Sequence, residues 1–242
     1  MADVNDTPRV ALVTGASSGI GEVTALRLLE EGFVVYGVAR RVDRMQGLAE
    51  RGVHVFGMDL TDDASMSAGV ERILAEQGRL DVLVNNAGYG AYGAVEEVPI
   101  EEARRQFEVN LFGLARLTQL VLPTMRAQRS GRIINISSIG AVIYEPFGAW
   151  YHATKFAVDG FSDSLRVELC RFGVDVVLVR PGTIRTEWNE IARTSLVETS
   201  ASGPYERSAR KAARTLALDR KEHTSELQSP MYLVCRLLLE KK

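Results

Sequence analysis

The sequence predicts a single α/β domain built on a doubly wound parallel sheet of six or seven strands, and three observations predict it. Short β-branched runs alternate with long amphipathic segments from residue 9 to about 180. The runs are apolar along their length rather than at every second position, as strands covered on both faces require. The first of them leads into a glycine-rich turn and then a helix, the opening of a β-α-β unit whose crossovers are right-handed.

RVALV forms the first strand and feeds GASSGIGE, where Gly15, Gly19 and Gly21 allow a tight turn and a close approach of backbone to a pyrophosphate. The helix over 20–31 offers free N–H groups and partial positive charge at its start, beside Ser17, Ser18 and Ile20. FVVYGV is the second strand. Just past it, about twenty residues beyond the glycine turn, an acidic side chain would bind the free hydroxyls of an adenosine ribose. Ala39, Arg40 and Arg41 stand there instead. A carboxylate would repel a 2′-phosphate, whereas guanidinium groups offer it forked donors, so NADP(H) is the expected cofactor. A helix over 42–51, the strand VHVFGM and a helix over 62–77 follow. LDVLV is the fourth strand, ending in NNAG, with Asn86, Ala87 and Gly88 at the carboxyl edge where such sheets bind ligands. Helix 100–129, strand RIINIS, helix 149–172 and strand VDVVLV complete the alternation.

Composition excludes several classes. Hydrophobic residues at 46% and charged residues at 25% are ordinary for a globular domain. A net charge of -2 gives no pull toward nucleic acid or an anionic membrane, and Arg40, Arg41 and Arg44 are the one local basic cluster. Cys170 and Cys235 cannot make a disulfide framework, and the three histidines show no metal-ligand spacing, so no metal is expected. The N-terminus lacks a signal-peptide pattern and no stretch reaches about 18 apolar residues, so a cytoplasmic protein without a membrane span is expected.

The chemistry concentrates in the second half. Tyr151 and Lys155 in AWYHATKF lie one helical turn apart and so on one face. A phenol titrates near pH 10, and a neighbouring ammonium favours its ionised form, so the pair can act as a tuned acid/base. Ser137 and Ser138 end the fifth strand, and Asn110 sits inside an otherwise apolar helix, where asparagine calls for a local hydrogen bond that distorts the helix.

TGASSGIG, NNAG, Asn110, NISS, YHATK and RPGTIRT, in this order over residues 8 to 190, resemble the short-chain dehydrogenase/reductase family, SDR, of NADP type. The resemblance implies a Rossmann domain over 1–218 and an oxidoreductase acting on CH–OH donors with NADP(H). It implies Tyr151 as general acid/base and Ser138 as the hydrogen-bond partner of the substrate oxygen. Lys155 would hold the nicotinamide ribose and lower the tyrosine pKa, and Asn110 would order a water for a proton relay. For the cofactor it adds Asp59 and Leu60 on the adenine side and Pro181, Gly182, Thr183, Ile184 and Thr186 near the carboxamide. For the substrate it adds Tyr89, Ile139, Tyr144 and Trp188, with Tyr92, Val142 and Phe147. These are aromatic and aliphatic, which favours a hydrophobic ketone, aldehyde or alcohol, steroid- or retinoid-like or otherwise lipophilic, over a sugar or an acid. Helices around 111–125 and 156–169 are similar to those the family uses to form a homodimer or homotetramer. The alternative is a catalytically silent NADP(H)-binding sensor, which would be expected to lack part of the Asn, Ser, Tyr and Lys set present here.

The family has a substrate-covering segment, here about 187–203, then a helix, then a last strand. YERSARKAARTLAL supplies the helix, but DRKEHTSELQS and an apolar run with one β-branched residue, Val234, stand where the strand belongs. HTSELQS is also what part of a common sequencing adapter encodes. Residues 219–242 are therefore expected to be a spurious tail, with the last strand missing or replaced.

Overall fold

A computed structural model describes residues 7–182 and 187–217. Thr183, Ile184 and Thr186, and the tail 219–242, lie outside the described residues. The strands are β1 (Val10–Thr14), β2 (Val34–Ala39), β3 (His54–Gly57), β4 (Val82–Asn85), β5 (Gly131–Ile136) and β6 (Val174–Val179). They form one parallel sheet in the order β3-β2-β1-β4-β5-β6, so the chain winds outward first to one side of β1 and then to the other. That reversal opens a crevice at the carboxyl ends of β1 and β4.

The helices are α1 (Gly19–Glu30), α2 (Gln46–Glu50), α3 (Asp63–Gln77), α4 (Ile100–Phe107), α5 (Leu114–Gln128), α6 (Ala149–Leu169), α7 (Glu187–Ser200) and α8 (Glu206–Ala217). Alternation along each central strand sends neighbouring residues to opposite faces. Leu12, Leu83 and Ile133 pack with Leu117, Val121 and Met125 of α5. Ala11, Val84 and Ile134 pack with Ala25 and Leu28 of α1 and Leu48 of α2 on the other face. Each buried Leu, Ile, Val or Met side chain contributes about 1.5–3 kcal/mol, which is why most positions of the central strands are apolar.

Three sequence expectations need correction. The strands at both ends of the described sheet are not buried on both faces: His54 and Gly57 of β3 and Asp175 of β6 are exposed, because an edge strand is only partly covered. The helix expected over 42–51 is a 3₁₀ turn, Val42–Met45, followed by the short α2. The helix expected over 100–129 is broken by a π-helical turn, Glu108–Gly113, that contains Asn110. This last departure is the distortion that the buried asparagine demands.

Candidate active site

The glycine turn sits at the crevice as the spacing predicts. Gly15 and Gly19 adopt φ of +66° and +58°, a region in which a side chain strains the backbone. Ser18 is the N-cap of α1 yet makes no side-chain cap hydrogen bond, so the first amides of α1 keep their capacity for an external acceptor. A Cβ on Gly21 would fall on the carbonyl of Gly15 and the amide of Asn86. Thr14 locks the two strand ends together. Its hydroxyl accepts from the N–H groups of Asn86 and Ala87, both at 3.0 Å, and its carbonyl accepts from Asn86 Nδ2 at 2.9 Å. Gly21→Ala should therefore cost about 1–3 kcal/mol, as overpacking does. For a chain of this length that is a fall in Tm of about 2–4 °C per kcal/mol, measurable by thermal unfolding.

One cavity of about 1310 Å³ runs from this turn past the ends of β2, β4 and β5 to α7 and α8. Gly15, Ser17, Ser18, Gly19, Ile20, Arg40, Arg41, Asp59, Leu60, Asn86, Ala87, Gly88, Pro181 and Gly182 all line it, whereas Gly21 is buried behind the turn. These features fit a dinucleotide: uncapped amides and hydroxyls for the pyrophosphate, and two guanidinium groups with no acid at the end of β2. Burial pushes the Asp59 carboxyl up, but hydrogen bonds from Thr61 and the charges of Arg40 and Arg105 outweigh it and hold its pKa low. It therefore stays ionised and anchors the turn after β3.

Ser138, Tyr151 and Lys155 converge on the middle of the same cavity. The two serines directly follow β5, and Ser138 caps a 3₁₀ turn, Ile139–Ala141, by accepting from the Gly140 N–H at 3.0 Å. Tyr151 and Lys155 project from one face of α6, with the Lys155 Nζ 5.9 Å from the centre of the Tyr151 ring. Lys155 is buried and donates to the Ile136 carbonyl at 2.9 Å. Trp188 and Tyr92 pack on Tyr151, with ring centres 4.9 and 5.9 Å away. Asn110 is buried and does not reach the cavity wall. Its Oδ1 accepts from the Tyr89 N–H at 3.0 Å, and its Nδ2 donates to the Tyr89 carbonyl at 2.9 Å and to Thr154 Oγ1 at 3.1 Å. Its visible work is to pin the loop after β4 onto α6.

Burial pushes the Tyr151 phenol above its ordinary pKa, the hydrogen bond with Ser138 pulls it down, and the charge of Glu145 pushes it up. The structure does not show the lowering by Lys155 that the resemblance implied. Burial instead drives the Lys155 ammonium down to about 8, with the Asp159 carboxylate partly opposing that shift.

Of the expected substrate residues, Tyr89, Ile139 and Trp188 line the cavity, as do Tyr92 and Phe147. Tyr144 does not: it is 84% exposed, and its neighbours Ile143 and Glu145 face the cavity. The loop turns Ile143 and Glu145 to the cavity and Tyr144 away from it, against the assignment that aromatic character suggested. Val142 also stands exposed and off the wall. The segment expected to cover the substrate is helical over Glu187–Ser200, as α7, and joins α8 in a small cluster of Tyr92, Tyr151, Leu196 and Ala209.

Sequence reasoning missed three supports. His152 bridges the site loop, with Nδ1 against the Gly140 carbonyl at 2.9 Å and Nε2 accepting from the Glu145 N–H at 3.0 Å. That pattern is the neutral tautomer protonated on Nδ1. Asp159 accepts from Ser137 Oγ and pairs with Arg180 Nε at 2.6 Å. The i,i+4 spacing of Lys155 and Asp159 was the available signal. Glu187 meets Arg44 at 3.0 Å and Arg41 at 3.9 Å, tying the start of α7 to the turn after β2.

Residues 9–196 match the family described as short chain dehydrogenase. The chain is 44% identical over 183 residues to 3-ketodihydrosphingosine reductase of Bacteroides thetaiotaomicron, covering 76% of this chain and 66% of the relative. It is 40% identical over 188 residues to an NADPH-dependent 3-dehydrocapnine reductase of Ornithobacterium rhinotracheale, covering 74% and 66%. A solved metagenomic short-chain oxidoreductase in complex with NADP superimposes with a TM-score of 0.69 at 35% identity, covering 74% of this chain and 84% of that one. The match thus spans about two thirds of the length of these curated relatives.

Proposed function

The chain belongs to the short-chain dehydrogenase family, and on that premise we propose that it is an NADP(H)-dependent oxidoreductase that reduces a lipophilic ketone or aldehyde or oxidises the matching alcohol. The observation that carries this reading is the placing of Ser138, Tyr151 and Lys155 on the wall of the cavity into which the glycine turn opens. Bound NADPH would supply the hydride. Ser138 orients the carbonyl oxygen, and Tyr151, kept neutral by burial, gives that oxygen its proton. Lys155 would hold the nicotinamide ribose, and the π turn around Asn110 breaks the regular helix pairing where a relay water could be held. Phe147, Trp188, Ile191, Leu196 and Leu216 give the substrate half an apolar wall, which supports a lipophilic carbonyl, and two relatives named as reductases of 3-ketodihydrosphingosine and 3-dehydrocapnine agree with it.

NADP(H) is preferred over NAD(H) because Arg40 and Arg41 line the cavity where a ribose-binding acid would stand. Changing both to Ala should weaken NADPH binding by about 10²-fold, the loss of two charge-assisted contacts, and leave NADH nearly unchanged. Fluorescence titration with each nucleotide checks this; equal losses would refute the phosphate role.

Reductive turnover is tested by NADPH oxidation with a panel of long-chain ketones, and absence of turnover would favour a silent cofactor-binding role. We further propose self-association through α5 with the π turn that precedes it and through α6, where Phe112 of the π turn and Phe156 and Val167 of α6 are exposed.

A further inference from the structure

Four acidic residues line the cavity, and three of them are engaged. Asp59 accepts from Thr61, Glu187 pairs with Arg41 and Arg44, and Glu96 is hydrogen-bonded by Tyr205. Glu145 differs. Its backbone is fixed, since its N–H donates to the His152 imidazole at 3.0 Å and its carbonyl accepts from the Gly148 N–H at 3.4 Å. Its carboxylate has no hydrogen bond or ion pair among the described residues. It faces the substrate half of the cavity beside Tyr151 and Tyr92 and its charge disfavours ionisation of both phenols.

Glu145 is exposed at the cavity wall, where water can solvate its carboxylate, but a substrate seated against it displaces that water and leaves the anion uncompensated. Hydride delivery to a carbonyl builds negative charge on the oxygen, and a nearby carboxylate raises the energy of that charge. The conflict disappears if the substrate brings a cation. We propose that Glu145 is a subsite for an ammonium group carried next to the reacting carbonyl, so that the substrate class is a long-chain 2-amino ketone. This rests on the reductase reading above. The His152 bridge then acquires a purpose, because it holds the Glu145 backbone at a set distance from the Tyr151 hydroxyl. The apolar wall beyond Phe147 takes the chain.

The test compares two probes, 3-ketodihydrosphingosine and the same long-chain ketone without its amino group, with wild type and Glu145→Gln. Wild type should prefer the amino ketone. The substitution should lower kcat/KM for the amino ketone by about 10- to 100-fold, the loss expected for a charge-assisted hydrogen bond. For the amine-free ketone kcat/KM should rise, because the anion that opposes the developing oxyanion is gone. A crossed response of this kind cannot come from loss of folding. Equal losses on both probes, or no loss on the amino ketone, would overturn the subsite while leaving the reductase reading in place. Absence of NADPH oxidation by wild type on either probe, with NADPH bound normally, would overturn the reading beneath it and the subsite together.

Discussion

Tyr151→Phe should lower kcat for NADPH-dependent carbonyl reduction by about 10²–10⁴-fold, the usual contribution of a positioned general acid. The ring is retained, so its packing on Trp188 and Tyr92 survives and the fold should not suffer. What disappears is the hydroxyl that shares a hydrogen bond with Ser138 on the cavity wall. Ser138 cannot replace it, because a serine hydroxyl is a far weaker acid than a phenol. Burial holds the phenol neutral at physiological pH, which suits it to donate in the reductive direction. Steady-state kinetics, with NADPH affinity measured separately, decide the matter. Unchanged affinity with a collapsed kcat supports the role, and an unchanged kcat would remove Tyr151 from the chemistry.

The central part of the fold was legible because strands buried between helices have to be apolar at most positions of both faces, so β1, β2, β4 and β5 stand out as largely apolar runs. Glycine was legible where its conformation is needed, at Gly15 and Gly19. Tyr151 and Lys155 were legible because one helical turn puts both on one face, and Asn110 because a buried amide has to disturb its helix. The remainder depends on contacts between residues far apart in the chain. Glu187 meets Arg44 across 143 positions, and no local pattern announces such a pair. Tyr144 and Glu145 show a second limit. In a loop without regular structure, the residue that faces inward is set by the anchors on either side, here the His152 imidazole, and not by hydrophobicity.

Asp159→Asn should move the alkaline limb of kcat/KM to lower pH. On the proposed reading Lys155 acts as an ammonium, and its buried pKa of about 8 means that the charged form is complete well below that value and is lost as pH rises through it. In wild type the activity should therefore fall above about pH 8. The titratable groups that face this lysine are the neutral Tyr151 phenol and the Asp159 carboxylate on its own helix, with Arg180, just past β6, on the far side of Asp159. Asp159 is the one whose charge favours the ammonium, so removing it lets desolvation act unopposed and lowers the Lys155 pKa further. Asparagine keeps the size and an acceptor for the Ser137 hydroxyl, and the freed Arg180 side chain is 42% exposed, so water can take over its hydrogen bonds. The cost to folding should thus stay below the roughly 3–5 kcal/mol typical of breaking a fully buried pair. Thermal unfolding monitors that cost while the pH profile reports the electrostatics. A purely structural role would lower Tm and activity together at all pH values and leave the limb where it was.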